Sequence, residues 1–226
     1  MTIAASTSEE HGLDLLTDKD LLVYSVGIST GGIAEIRMTE MNPARRIIAT
    51  TIDDPGLNFA REQIVDRHLE GRIEIRLEDV AEPLPYDANH FDYIYARLVL
   101  HYLARDKLVE ALSELYRALK PGGKIFIVVR SDKCDHAHMP DSVYGPVTEL
   151  TEYTETDPVR GIIRLKRHFF SEDDLAAYFE KAGFTMSSVT AYDEHLFKDF
   201  KREALDTRVD NVVELVEQKL SANRHG

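Results

Sequence analysis

The sequence predicts an α/β chain built on a mainly parallel sheet with helices on both faces. Two observations carry this. Apolar runs of strand length alternate along the chain with amphipathic stretches of helix length. The first such run, Val23-Tyr24-Ser25-Val26, ends in a Gly-rich turn, Gly27-Ile28-Ser29-Thr30-Gly31-Gly32, which opens a helix, and Asp53 ends the next strand. That is the layout of a nucleotide-binding βαβ unit, although Ser29 breaks the G-x-G-x-x-G spacing. Size agrees: 226 residues suit one such domain, which can bury roughly 70% of its unfolded surface.

The first strand is read over Leu21 to Gly27 and the helix after the turn over Gly32 to Met41. The second strand, Ile47 to Asp53, precedes a helix from Gly56 to about Leu69, with Pro55 near its start. Ile73 to Leu77 forms the third strand. Pro83 and Pro85 keep Asp79 to Tyr86 out of any regular helix or central strand, so that segment wraps over the sheet edge. Phe91 to Tyr95 forms the fourth strand. Leu108, Leu112, Leu115 and Leu119 make the apolar stripe of a helix stopped by Pro121-Gly122-Gly123, and Lys124 to Val129 gives the fifth strand.

From Ser131 to Arg160 the periodicity dissolves, which suggests a substrate or lid loop. A strand-like run follows over Gly161 to Phe169. The next helix is opened by Ser171 with Asp174 three residues on, a capping-box pattern, and is closed by Lys181-Ala182-Gly183. Phe184 to Ala191 reads as a further strand. Val209, Val212, Val213, Leu215, Val216 and Leu220 predict an amphipathic helix over about 196–221. The whole is expected to be one domain, with residues 1–20 as an N-terminal segment.

A net charge of −13 argues against tracking nucleic-acid phosphates and favours a small-molecule partner. The one cysteine, Cys134, forms no internal disulfide framework and suits a reducing compartment. The polar start, Met1 to Gly12, lacks a signal-peptide core, and no apolar run approaches the roughly 20 residues that cross a bilayer. A cytoplasmic protein without a membrane partner is therefore expected. The apolar face of the tail suggests either packing on its own domain or a homodimer.

The assembled motifs resemble class I S-adenosylmethionine-dependent methyltransferases, in particular the small-molecule, type 11-like group. The motifs are VYSVGISTGG, Asp53, LEDVAEPLPY, FDYIYARLVLHYL and ELYRALKPGGKIFIVV, and the resemblance runs from about Leu21 to Ala191. It implies a Rossmann-like three-layer α/β/α fold and S-adenosyl-L-methionine as cofactor. It also implies that Gly27, Ser29 and Gly31 approach the methionine half, Asp53 takes the ribose diol, Asp79 takes the adenine amino group, and the Val80 amide meets the ring. A carboxylate such as Asp53 can accept both hydroxyls of a vicinal diol. Its alternative role is a helix N-cap shared with Asp54. Asp79 is otherwise a solvated loop acid, and the glycines otherwise serve close packing.

The chain departs from the family pattern at Ser25, where an acid for the cofactor's amine is usual, at Ser29 in place of the middle glycine, and at Asp54. Hydroxyls at Ser25, Ser29 and Thr30 can still bond to an amino-acid head group. His101 is the candidate catalytic base, or else a packed helix-terminal residue. Arg97 is the candidate clamp for a carboxylate of cofactor or substrate, or else an ion-pair partner. Tyr24, Tyr95 and Tyr144 are candidates to face a sulfonium, or else half-buried strand residues. Cys134, His136 and His138 share one side of an extended loop, but their spacing is not that of common zinc sites, and no metal is expected. The competing functions are a non-catalytic scaffold of the same fold and a nicotinamide-dependent oxidoreductase.

Overall fold

The computed structural model describes residues 6–28, 30–52, 54–157, 161–185, 188–197 and 205–220. Five strands follow the predicted parallel order: β1 (Leu22–Ser25), β2 (Arg46–Thr51), β3 (Ile73–Leu77), β4 (Phe91–Arg97) and β5 (Leu119–Arg130). The helices between them are α2 (Ile33–Met41), α3 (Asp54–Asp66) and α4 (Arg105–Ala118), and α1 (Thr7–Asp14) precedes β1. After β5 come three further strands, β6 (Val143–Gly145), β7 (Leu150–Asp157) and β8 (Gly161–Arg167), then α5 (Glu172–Lys181), β9 (Ser188–Phe197) and β10 (Leu205–Gln218). The central sheet has the order β3-β2-β1-β4-β5-β10-β9, and β10 runs antiparallel to both neighbours.

Because helices cover both faces, successive strand residues alternate between two cores and the interior strands are apolar on both sides. Tyr24, Ile94, Ile125, Ile127, Val213 and Leu215 face α4 and α5. Val23, Tyr93, Tyr95, Phe126, Val128 and Val212 face α1 and α2, with Ile64 of α3 in the same cluster. The two sides meet at the sheet, as a three-layer α/β/α arrangement requires. The capping box at Ser171 forms as expected: its hydroxyl accepts from the Asp174 amide.

One buried charge holds the α2–β2 corner. The Arg45 guanidinium, 1% exposed, donates to the carbonyls of Thr17, Asp20 and Met38 at 2.7, 2.8 and 2.7 Å. A planar fork with five N–H donors suits three converging carbonyls near a helix end, and an ammonium does not.

Three expectations are corrected. The tail is not a helix: residues 205–218 form β10, inserted between β5 and β9. Val212 and Val213 are both buried, on opposite faces, so both faces of the strand are apolar and the period-2 signal is erased. The homodimer reading loses its helix at the same time. The region 131–160 is also not a structureless loop, since β6 and β7 lie in it and β8 joins them in a separate three-stranded antiparallel sheet. The strand-like run read over Gly161 to Phe169 therefore lies outside the central sheet. Finally, Leu119 opens β5 rather than ending α4, and the 7–14 segment is helical.

Candidate active site

A cavity of about 210 Å³ opens at the carboxyl ends of β1, β2 and β3. One side is backbone and small residues, Val26, Gly27, Thr50 and Thr51. The loop after β3 supplies Glu78, Asp79 and Val80, and the turn after β4 supplies Val99, Tyr102 and Leu103. The crevice outside the carboxyl ends of parallel strands is where open α/β sheets bind ligands, because the strand order turns there and the loops diverge.

Gly27 stands close against Val99 at the cavity wall. Its φ of +71° is costly for any residue with a side chain, and a Cβ there would sit 2.9 Å from Val99 Cγ2. The Ile28 amide, next in the turn, donates to the Thr50 carbonyl at 2.6 Å, which ties the turn to β2. The backbone at Gly27 is thereby left bare toward the cavity. Gly31 serves packing too, because a Cβ on it would lie 2.9 Å from the Phe59 ring, and its bareness admits α3.

The expected binding residues divide. Gly27, Asp79 and Val80 line the cavity. Asp79 accepts the Ala81 amide at 2.9 Å on Oδ1, which sets the turn, while Val80 is buried. The adjacent Glu78 accepts from the hydroxyls of Tyr24 and Tyr86 and is braced from behind the cavity. Ser29 and Asp53 lie outside the described residues. Ser25 turns away: its buried hydroxyl donates to Glu35 Oε1 of α2 at 2.6 Å. Arg97 is committed to α1 and β9, where it donates to the hydroxyls of Ser8 and Ser6 at 2.6 Å each and pairs with Glu194 at 3.5 Å. These contacts make it a brace between α1 and β9.

The aromatic candidates change as well. Tyr24 stacks on Phe91, Tyr95 stacks on Phe126, and Tyr144 stands exposed on β6. None of the three lines the cavity, whereas Tyr102 does. Its sequence signal was adjacency to His101 in the motif after β4. The Cys134-His136-His138 group also takes divergent partners. Cys134 Sγ contacts the Asn211 carbonyl, His136 lies against Tyr153, and His138 Nε2 contacts the Asp132 carbonyl at 2.6 Å.

His101 sits in a 3-10 turn, Leu100–Tyr102, directly behind that aromatic wall, its ring centroid 4.4 Å from Tyr102. Its carbonyl accepts the His168 amide at 2.7 Å, so the end of β8 is fastened to this turn. The imidazole is 1% exposed and Nδ1 has no hydrogen-bond partner. Burial, with the guanidinium of Arg167 and then that of Arg130 nearby, holds its pKa well below the ordinary histidine value.

Comparison with known proteins bears on this geometry. A family model described as a methyltransferase domain matches residues 24–127, from β1 into β5. A ubiquinone/menaquinone biosynthesis C-methyltransferase, UbiE, of Allorhizobium ampelinum is 30% identical over 181 residues, covering 75% of this chain and 67% of that protein. The chain belongs to the class I S-adenosylmethionine-dependent methyltransferases. The UbiE of Pseudomonas putida GB-1 is 31% identical over 106 residues, and there the chain spans only 40% of the relative's length. The crystal structure of an S-adenosylmethionine-dependent methyltransferase from Methanosarcina mazei superposes with a TM-score of 0.72 at 16% identity, covering 92% of this chain and 96% of the other. That likeness extends the shared fold well past the matched family segment.

The methyltransferase cavity has features that fit a nucleoside. Val80, Val99 and Leu103 give it apolar walls, Asp79 offers a carboxylate, and Gly27 leaves a cradle that a Cβ would fill.

Proposed function

We propose that this chain transfers a methyl group from S-adenosyl-L-methionine to a small-molecule acceptor. The observation that carries the reading is the cavity at the ends of β1, β2 and β3, with bare backbone at Gly27 and a carboxylate at Asp79. In this reading Asp53 takes the ribose diol, Asp79 the adenine amino group, and the Val80 amide the ring edge. Gly27, Ser29 and Gly31 keep the first turn close to the methionine half. Ser25 acts through Glu35 and Arg97 through α1, so neither is assigned a direct contact.

When bound, the cofactor supplies an electrophilic methyl on its sulfonium, so the protein has chiefly to hold an acceptor atom in line, a positioning effect of roughly 7–11 kcal/mol in favourable cases. Tyr102, half-exposed at the cavity wall, separates that wall from His101. His101, the candidate base, lies behind that wall with Nδ1 buried, so it would reach an acceptor hydroxyl only with a movement of Tyr102. The β6–β8 sheet, fastened to this turn through His168, is the proposed cover over the acceptor. Carbon is the first acceptor atom to test, because the named relatives are C-methyltransferases. The charge of −13 favours a small molecule over nucleic acid. No described helix is long and apolar enough to cross a membrane, and a cytoplasmic location is part of the proposal.

The test is titration with S-adenosylhomocysteine. Wild-type protein is expected to bind with a dissociation constant below roughly 100 µM, and Asp53→Ala to weaken binding at least tenfold with an unchanged fold by circular dichroism. No binding by the wild type supports the scaffold reading instead, and NADH binding in its place supports an oxidoreductase.

A further inference from the structure

The chain carries 40 acidic against 27 basic side chains, yet beside the proposed acceptor side it buries a guanidinium without an acid. Arg167, at the end of β8, is 8% exposed and, among the described residues, has no carboxylate within 4.0 Å. Its terminal nitrogens reach only phenols: Nη1 donates to the Tyr153 hydroxyl, and Nη2 lies 3.4 Å from the Tyr102 hydroxyl. The guanidinium carbon stands 5.4 Å from the Tyr102 ring centre and 5.7 Å from that of Tyr153. Nε is buried without a hydrogen-bond partner, and so are Nδ1 of His101 and Nδ1 of His168 in the same region. The other guanidinium of this region, Arg130, is neutralised by Asp210.

A buried charge without a counter-charge is expensive, and proteins keep such groups where a ligand supplies the missing partner. Hydrogen bonds from neutral phenols soften that cost but leave the charge in place. Electron-rich rings flanking the guanidinium favour a flat ligand as well as a cation.

We infer that Arg167 is the specificity residue of the acceptor site, and that the acceptor is a small aromatic molecule carrying a carboxylate, held by the Arg167 guanidinium between Tyr102 and Tyr153. The inference rests on the methyltransferase reading for the word acceptor, but the anion site stands on its own geometry. Tyr102 belongs both to this pair and to the wall of the cofactor cavity, so a molecule seated on Arg167 abuts the proposed methyl donor. An anion there also offsets the Arg167 charge, which adds to burial in keeping His101 neutral, and so raises that ring's basicity when the acceptor is in place.

The experiment uses calorimetric titration of the full chain, saturated with S-adenosylhomocysteine, with benzoate and with benzamide, its neutral isostere. Benzoate is expected to bind at least tenfold more tightly than benzamide, the worth of one charge-assisted hydrogen bond. Arg167→Gln is expected to erase that preference and Arg167→Lys to keep part of it. Equal binding of the two probes by the wild type, or no binding of benzoate by protein that has bound S-adenosylhomocysteine, overturns the inference, and so does a folded Arg167→Gln that keeps the preference. Should Arg167→Gln fail to fold, the comparison of the two probes on the wild type decides alone. Failure of S-adenosylhomocysteine to bind strikes the methyltransferase reading instead, and the two probes titrated without it still test the anion site.

Discussion

Replacing Gly27 by alanine tests the geometry of the cavity wall where the first turn meets Val99. A φ of +71° costs an L-residue about 1–2 kcal/mol. The new methyl would also sit 2.9 Å from Val99 Cγ2 and 3.1 Å from Val99 Cβ. Valine is stiff about χ1 and cannot swing clear cheaply, so overpacking adds about 1–3 kcal/mol. The sum, about 2–5 kcal/mol, corresponds to a fall in Tm of roughly 4–20 °C for a chain of this size. The assay is a double-mutant cycle read by thermal melting and by S-adenosylhomocysteine titration. In a Val99→Ala background the 2.9 Å contact with Cγ2 is gone and only the one with Cβ stays, so the Gly27→Ala cost is expected to shrink toward the backbone part, giving a favourable coupling of about 1 kcal/mol. Cofactor affinity is expected to drop about tenfold in the single variant and to recover partly in the double. Additivity within about 0.5 kcal/mol would refute the contact, and with it the account of why this turn is bare.

Two further outcomes follow from buried polar groups. Burial lowers the His168 pKa from 6.5 to about 4. Below pH 6.5 the unfolded chain therefore binds a proton that the folded ring refuses, so this contribution to stability is complete above pH 6.5 and is lost as the pH falls toward 4. The loss is about 3 kcal/mol, and urea unfolding of His168→Gln should show a correspondingly flatter profile between those limits. Arg45→Met takes the guanidinium away from the carbonyls of Asp20 and Met38, while that of Thr17 keeps the Asp20 amide at 3.1 Å. At about 1–3 kcal/mol for each of these two groups, chemical denaturation should register a loss of at least about 2 kcal/mol. Arg45→Lys should restore only part of it.

The first two-thirds of the fold was legible because each of its elements obeys a local rule. The strand-turn-helix at Val23 to Met41, the proline-interrupted loop after β3 and the Leu108–Leu115 stripe each declare themselves within a short stretch of chain. The tail did not, because its two apolar faces mimic one helical face. Val209, Val212, Val213, Val216 and Leu220 fall at helical spacing, but Val212, Val213 and Val216 pack on the two faces of β10 while Val209 and Leu220 are exposed. The contrary signal was composition, since all but the last of those residues are valines, which favour strands.

At the site, Gly27, Asp79 and Val80 were readable from the motif, because backbone geometry fixes them. Tyr102 and Arg167 were not, because they stand 65 positions apart in sequence and only the fastening of β8 to the turn after β4 brings them together. Arg97 misled for the same reason, since its partners Ser6, Ser8 and Glu194 come from both ends of the chain.

The placement of β10 also bears on the order of assembly. Lys219, just beyond this strand, donates through Nζ to the carbonyls of Tyr116 and Leu119, while its backbone pairs with Gly122 and Gly123. During synthesis β9 emerges before the strand that must lie between it and β5, so a nascent chain presents two open sheet edges at once. Until that late segment threads into the gap, the growing protein is at its most vulnerable to strand exchange with a neighbour on the same messenger, and the lysine then acts as the latch that closes the seam.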